Sequence, residues 1–196
     1  MNSKTALKQL KELDKLSPKI RLAAEWKKTW QVLISTILSA QSRDEKTIEI
    51  SKLLYKKYKN PKQLASAKFK DILKIIKPIN YNRTKAKHIK ETARIISKKG
   101  IPKTREELLE LPGVGRKVAN VYLAVAHKVP AIGVDTHVGR ISQKLHWTKN
   151  KNPHKIEKDL EQLFPKTYWN SINYIVVRFG QTHSRKQEDE IFKRLK

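Results

Sequence analysis

The chain contains no cysteine. That rules out a disulfide framework and any thiolate-held zinc or iron–sulfur centre. No apolar run approaches the roughly 18 residues that would cross a bilayer. The lysine-strewn stretch Met1 to Lys28 has no apolar core of a secretory leader either. Segments of period-two alternation are scarce. Val129-Pro130-Ala131-Ile132-Gly133-Val134 is the one candidate strand, and its proline and glycine favour an extended loop. Acidic side chains are few, 18 against 44 Lys and Arg, which leaves a formal net charge of +26 over 196 residues. Such an excess repels itself and adds nothing to folding, so a polyanionic partner is implied. Nucleic acid fits that role, and a membrane does not. The expectation is a basic, cytoplasmic, DNA-associated protein, long enough to bury a real core.

What is present reads as helix almost throughout, and the fold class is all-α. Leu7, Leu10, Leu13 and Leu16 repeat at helical spacing up to Ser17-Pro18, where a new element is expected. Trp30 to Leu38 is a strongly apolar helix ending near Ser39-Ala40-Gln41. Ser42 and Glu45 suggest a capping box for the next helix, as do Thr104 and Glu107 for a later one. Asn60-Pro61 and Pro78 are breaks. Gly100 closes a helix that runs from Lys85 to Lys99. Further helices are expected over 116–126, 137–145, 153–163 and 168–178. The tail Ser184-Arg185-Lys186-Gln187-Glu188-Asp189-Glu190 is so polar that fraying is expected, with little cost from deleting it.

The run Leu111-Pro112-Gly113-Val114-Gly115-Arg116-Lys117 carries the most chemistry. A Gly-x-Gly turn opening a helix points N–H groups outward, where they bind phosphate without reading a base. Lys117 falls in the first turn of that helix, where the macrodipole opposes a protonated amine and favours the neutral nucleophile. One helix out and an extended return lead to Val134-Asp135-Thr136-His137. On its own Asp135 reads first as a helix N-cap, and a cap still presents a free carboxylate oxygen for chemistry.

Leu111 to Lys117, Gly133-Val134-Asp135 and Leu38-Ser39-Ala40-Gln41 together resemble the endonuclease III branch of the helix-hairpin-helix DNA glycosylases, over roughly Trp30 to Gly180. The resemblance implies a two-lobed fold with DNA lying across the cleft between the lobes. An N-terminal helix (1–22) and C-terminal helices (131–196) would form one lobe, and 23–130 the other, with the hairpin. It implies a bifunctional DNA glycosylase and AP lyase of base excision repair. Such an enzyme acts as a monomer on double-stranded DNA that carries damaged, oxidised pyrimidines or abasic sites. Lys117 matches the Schiff-base nucleophile and Asp135 the essential carboxylate. Leu111, Gly113, Val114, Gly115 and Arg116 match the phosphate-gripping hairpin. Gln41 and Tyr81 match positions that enter the DNA stack when a base is flipped out, and His137 matches a possible phosphate contact.

The sequence departs from the family pattern at two places. Asn80 stands where a glycine is expected beside Tyr81. Most relatives also end in four cysteines that hold a [4Fe–4S] cluster. Here Ser184 replaces the first, and the family spacing then lands on Ile191 and Arg194. The expectation is an enzyme with no metal and no cofactor, its terminal lobe held by helix packing alone, with Phe179 and Trp169 contributing. Two other functions stay open on sequence. One is a glycosylase for oxidised guanine or for mismatched uracil or thymine. The other is a non-catalytic helix-hairpin-helix DNA binder.

Overall fold

The computed structural model describes residues 1–195. In chain order its helices are α1 (Ser3–Leu16), α2 (Thr29–Ser39), α3 (Asp44–Lys57), α4 (Pro61–Ser66), α5 (Phe69–Ile76), α6 (Asn82–Lys99), α7 (Arg105–Leu109), α8 (Arg116–His127), α9 (Thr136–Lys144), α10 (Pro153–Leu163), α11 (Trp169–Thr182) and α12 (Arg185–Leu195). No strand forms among the described residues. Two compact units result: residues 21–127, and Met1–Ile20 together with the chain from Lys128 onward.

Local chemistry explains most of the helix ends. Asn2 starts α1 by accepting the Thr5 N–H at 2.9 Å. Asn60 caps α4 with Pro61 in its first position, so the expected break is also a start. Thr104 caps α7 by accepting the Glu107 N–H, and its hydroxyl donates to the Glu107 carboxylate at 2.7 Å, so the two side chains of the expected capping box meet. Gly100, at φ 79°, ends α6 with its N–H on the Ile96 carbonyl. No element begins at Ser17-Pro18: the chain is non-helical until α2.

The Ser42–Glu45 box is not made. Arg43 occupies the cap of α3 and makes no side-chain bond there. The Ser42 hydroxyl instead accepts from Lys85 Nζ at 3.2 Å, a partner distant in sequence.

In the 21–127 unit α2 buries nearly every side chain from Trp30 to Leu38, as suits a helix surrounded by others. Leu33, Ile34, Ile72, Ile89, Leu108 and Tyr122 are among the fully buried residues of its core.

The other unit ties its N-terminal helix to its last ones through buried polar groups. The Arg178 guanidinium, 1% exposed, donates to the Asp14 carboxylate at 2.6 Å. Gln9 accepts from the Trp147 indole at 2.7 Å and donates to the Leu195 carbonyl at 2.9 Å. The segment before α9 is an extended loop, as its proline and glycine suggest. Asn170 accepts the Ala131 N–H at 3.0 Å, and the Asn173 amide donates to the Gly133 carbonyl at 2.7 Å.

The tail corrects the expectation of fraying. Residues 185–195 form α12, Glu188 is completely buried, and Phe192 is 3% exposed. Glu188 pairs with Arg140 and lies 3.5 Å from Lys144 and 3.4 Å from Arg185. Phe192 packs beside Phe179, ring centroids 5.7 Å apart. The polar run misleads because its one inward carboxylate meets three cations. Helix packing therefore does not hold this unit alone. Phe179 is fully buried as expected, whereas Trp169 is half-buried and spends its indole N–H on the Phe164 carbonyl.

Candidate functional site

The hairpin between α7 and α8 is braced from inside its own unit. The Leu111 and Val114 side chains are buried, and the Val114 N–H donates to the Leu111 carbonyl at 3.1 Å. Thr92 on α6 donates to the Pro112 carbonyl at 2.9 Å. Gly113 sits at φ 80°, and a Cβ there would press to 2.8 Å from the His88 ring. Both the dihedral and the space demand glycine. Gly115 is different: it is exposed, and a Cβ on it would meet nothing. The part of this turn that can face a ligand is therefore main chain around Gly115 and the first turn of α8, where unpaired N–H groups and the helix dipole favour an anion. Arg116 and Lys117 begin α8. Lys117 is half-buried, and among the described residues no hydrogen bond or ion pair engages its amine.

Asp135 and His137 belong to the other unit. Asp135 is the N-cap of α9, its Oδ1 accepting the Val138 N–H at 2.9 Å. The bond uses one carboxylate oxygen and leaves the second for another partner. His137 is more constrained: Arg140 Nη2 donates to its Nδ1 at 3.1 Å. Its ring lies so close to Gly180 on α11 that a Cβ there would collide with it. Only Nε2 remains to meet a phosphate.

Gln41 and Tyr81 lie in the 21–127 unit, both exposed and both in the left-handed region, at φ 54° and 57°. Non-glycine residues hold that conformation only where their surroundings enforce it. Gln41 follows the end of α2, and Tyr81 is the N-cap of α6 with 67% of its surface exposed. The Asn80 amide donates to the Gln41 carbonyl at 2.6 Å, and the Asn82 amide to the Lys77 carbonyl at 2.9 Å. Asn80 stands out in the sequence only as a departure from an expected glycine, whereas Lys85, Thr92, His88, Arg140 and Glu188 are not distinguishable there as supports of these residues. Lysines are everywhere in this chain, and the other four have no local motif.

The sequence offers nothing to hold an iron–sulfur cluster. There is no thiolate, and Ser184 is occupied in starting α12: its N–H donates to Gln187 Oε1 at 2.8 Å, and its hydroxyl accepts the Gln187 N–H. No group of histidines and carboxylates among the described residues could hold a metal ion, and no described helix is long and apolar enough to cross a membrane.

Residues 34–166 match the family described as HhH-GPD superfamily base excision DNA repair protein. Endonuclease III of Thermotoga maritima is 46% identical over 155 residues, covering 78% of this chain and 73% of that protein. Endonuclease III of Bacillus subtilis is 36% identical over 162 residues, covering 81% and 74%. A solved structure of a trapped endonuclease III–DNA covalent intermediate superposes with a TM-score of 0.86 at 33% identity, covering 93% of this chain and 88% of that one. The chain belongs to the endonuclease III branch of the HhH-GPD superfamily of base excision DNA repair proteins, and it is a DNA glycosylase/AP lyase.

Proposed function

We propose that Lys117 and Asp135 carry this chemistry, on duplex DNA that contains damaged, oxidised pyrimidines or abasic sites. The observation that carries the reading is the uncommitted amine of Lys117, in the first turn of α8 directly behind a hairpin whose outward face is main chain. Breaking the glycosidic bond builds positive charge on the deoxyribose, which a carboxylate stabilises. Asp135 has an oxygen to spare for this after capping α9. The Lys117 amine forms a bond to the sugar C1′, and the base departs with the electrons of the glycosidic bond. The amine nitrogen then loses a proton and its lone pair expels O4′, which picks up a proton as the sugar ring opens, leaving a Schiff base at C1′. That Schiff base accepts the electrons released when C2′ loses a proton, and the 3′ C–O bond breaks with phosphate leaving.

The phosphate grip comes from main chain at Gly113, Gly115 and the start of α8, with Arg116 beside it. Leu111 and Val114 serve that grip through the backbone, since their side chains are core. Gln41 and Tyr81 enter the stack, and His137 reaches phosphate through Nε2. The enzyme acts as a monomer, with the DNA of the nucleoid, and without a metal or cofactor. The absence of any thiolate and the use of Ser184 as a helix start support that last point.

The test is borohydride reduction on duplexes that carry one thymine glycol or one abasic site. A covalent adduct should form and should disappear in Lys117→Ala while binding persists. Trapping that survives the substitution would sink the assignment.

A further inference from the structure

Lys85 is the oddest residue of the 21–127 unit. It is 6% exposed, and its ammonium donates to Leu38 O at 2.7 Å, Ala40 O at 2.5 Å and Ser42 Oγ at 3.2 Å. All three partners are neutral oxygens. Burial lowers the group to about 8, so it remains mostly charged at neutral pH. A cation taken out of water without a carboxylate is costly, and an apolar side chain of the same length would fill this space at less cost. The last carbonyls of α2, at the negative end of its dipole, offset part of that cost.

The consequence lies in what the three bonds surround. Leu38, Ala40 and Ser42 bracket Gln41, whose φ is 54°. Lys85 itself closes the first turn of α6: its N–H donates to the Tyr81 carbonyl at 3.0 Å. One residue therefore fastens the left-handed turn at Gln41 and the left-handed turn at Tyr81 to each other. The Asn80 amide on the Gln41 carbonyl is a second, exposed link between the same two turns. The structure contains two strained, exposed, non-glycine turns cross-tied from below and from the side, and such strain is held where a site must be pre-organised.

We propose that Lys85 and Asn80 are positioning residues for base extrusion, holding Gln41 and Tyr81 as one rigid pair for entry into the DNA stack. The proposal rests on the reading that Gln41 and Tyr81 enter DNA. It explains why asparagine, not glycine, precedes Tyr81 here: the side chain supplies a bond that glycine cannot make.

The experiment measures single-turnover excision of thymine glycol from duplex DNA, alongside borohydride trapping on single-stranded abasic DNA, which has no stack to open. Lys85→Met, Asn80→Ala, Gln41→Ala, Tyr81→Ala and the doubles Lys85→Met/Gln41→Ala and Lys85→Met/Tyr81→Ala are compared. Losing the geometry of the pair should slow duplex excision by about tenfold or more, with less than twofold loss in single-strand trapping. In at least one of the two doubles, Lys85→Met should add little to the loss already present, because it acts through that partner. Equal losses on both substrates, full additivity in both doubles, or no loss at all would overturn the proposal. Unchanged duplex excision in both Gln41→Ala and Tyr81→Ala would instead overturn the underlying reading. If Lys85→Met melts below the assay temperature, Asn80→Ala and its doubles with Gln41→Ala and Tyr81→Ala carry the same test, since its site is exposed.

Discussion

Asparagine caps helices about as well as aspartate, so Asp135→Asn keeps the bond to the Val138 N–H while removing the charge. Thermal stability should hardly change, whereas base excision should slow by roughly 10² or more if the carboxylate supports the developing sugar cation. Asp135→Ala should show the same kinetic loss plus about 1 kcal/mol of instability from the lost cap. An Asp135→Asn enzyme with wild-type excision kinetics would reduce this residue to its cap. The cap could be named from Asp135 standing before Thr136-His137, and the structure makes it; the carboxylate role comes from the family resemblance and is what these variants test. The role of Lys85 could not be named from sequence. Its value depends on three oxygens around Gln41, residues far away in the chain, and one of them belongs to a serine whose spacing to Glu45 suggested another task.

The two glycines of the hairpin look alike in sequence but separate in the structure. Gly113→Val forces a β-branched side chain into positive φ and against His88, so it should destabilise the protein measurably by thermal melting. Gly115→Val meets open space, so it should fold normally and lose affinity for undamaged duplex, because its methyls stand where phosphate approaches. Equal stability losses in the two variants would contradict this division. Helices with strong periodicity or caps, such as α1, α2, α6 and α10, could be read along the chain. The two that escaped, α4 and α12, failed for opposite reasons. Six residues are too few for a period to show. In α12 the buried positions include a glutamate, which hydrophobic patterning counts as surface. Deletion of α12 therefore becomes a severe change. Phe192→Ala alone should cost about 3–5 kcal/mol, and truncation after His183 should lower Tm by at least as much as that single change, roughly 10 °C or more. A truncated chain that melts like the full one would show that α12 is dispensable packing.

The charge of +26 belongs to no single site. Part of it is spent on structure: Arg185 and Lys144 face Glu188, and Lys144 also pairs with Asp189 at 2.7 Å. Of the cations of α12 only Arg185 is drawn into this cluster, while Lys186, Lys193 and Arg194 stay exposed, so the attraction to DNA is expected from lysines and arginines spread over the molecule, α12 included. Binding of that kind is long-ranged and indifferent to sequence, and each phosphate neutralised releases about 0.9 counterion. Affinity for undamaged duplex should accordingly fall by about 10³ between 50 and 200 mM salt if about six phosphates are engaged. Single substitutions of exposed lysines should each lower the slope by no more than about one, with no change in lesion preference. A flat salt dependence would mean that the charge serves another partner. A steep dependence abolished by one lysine would mean that the attraction is focused at one site and not spread over the surface.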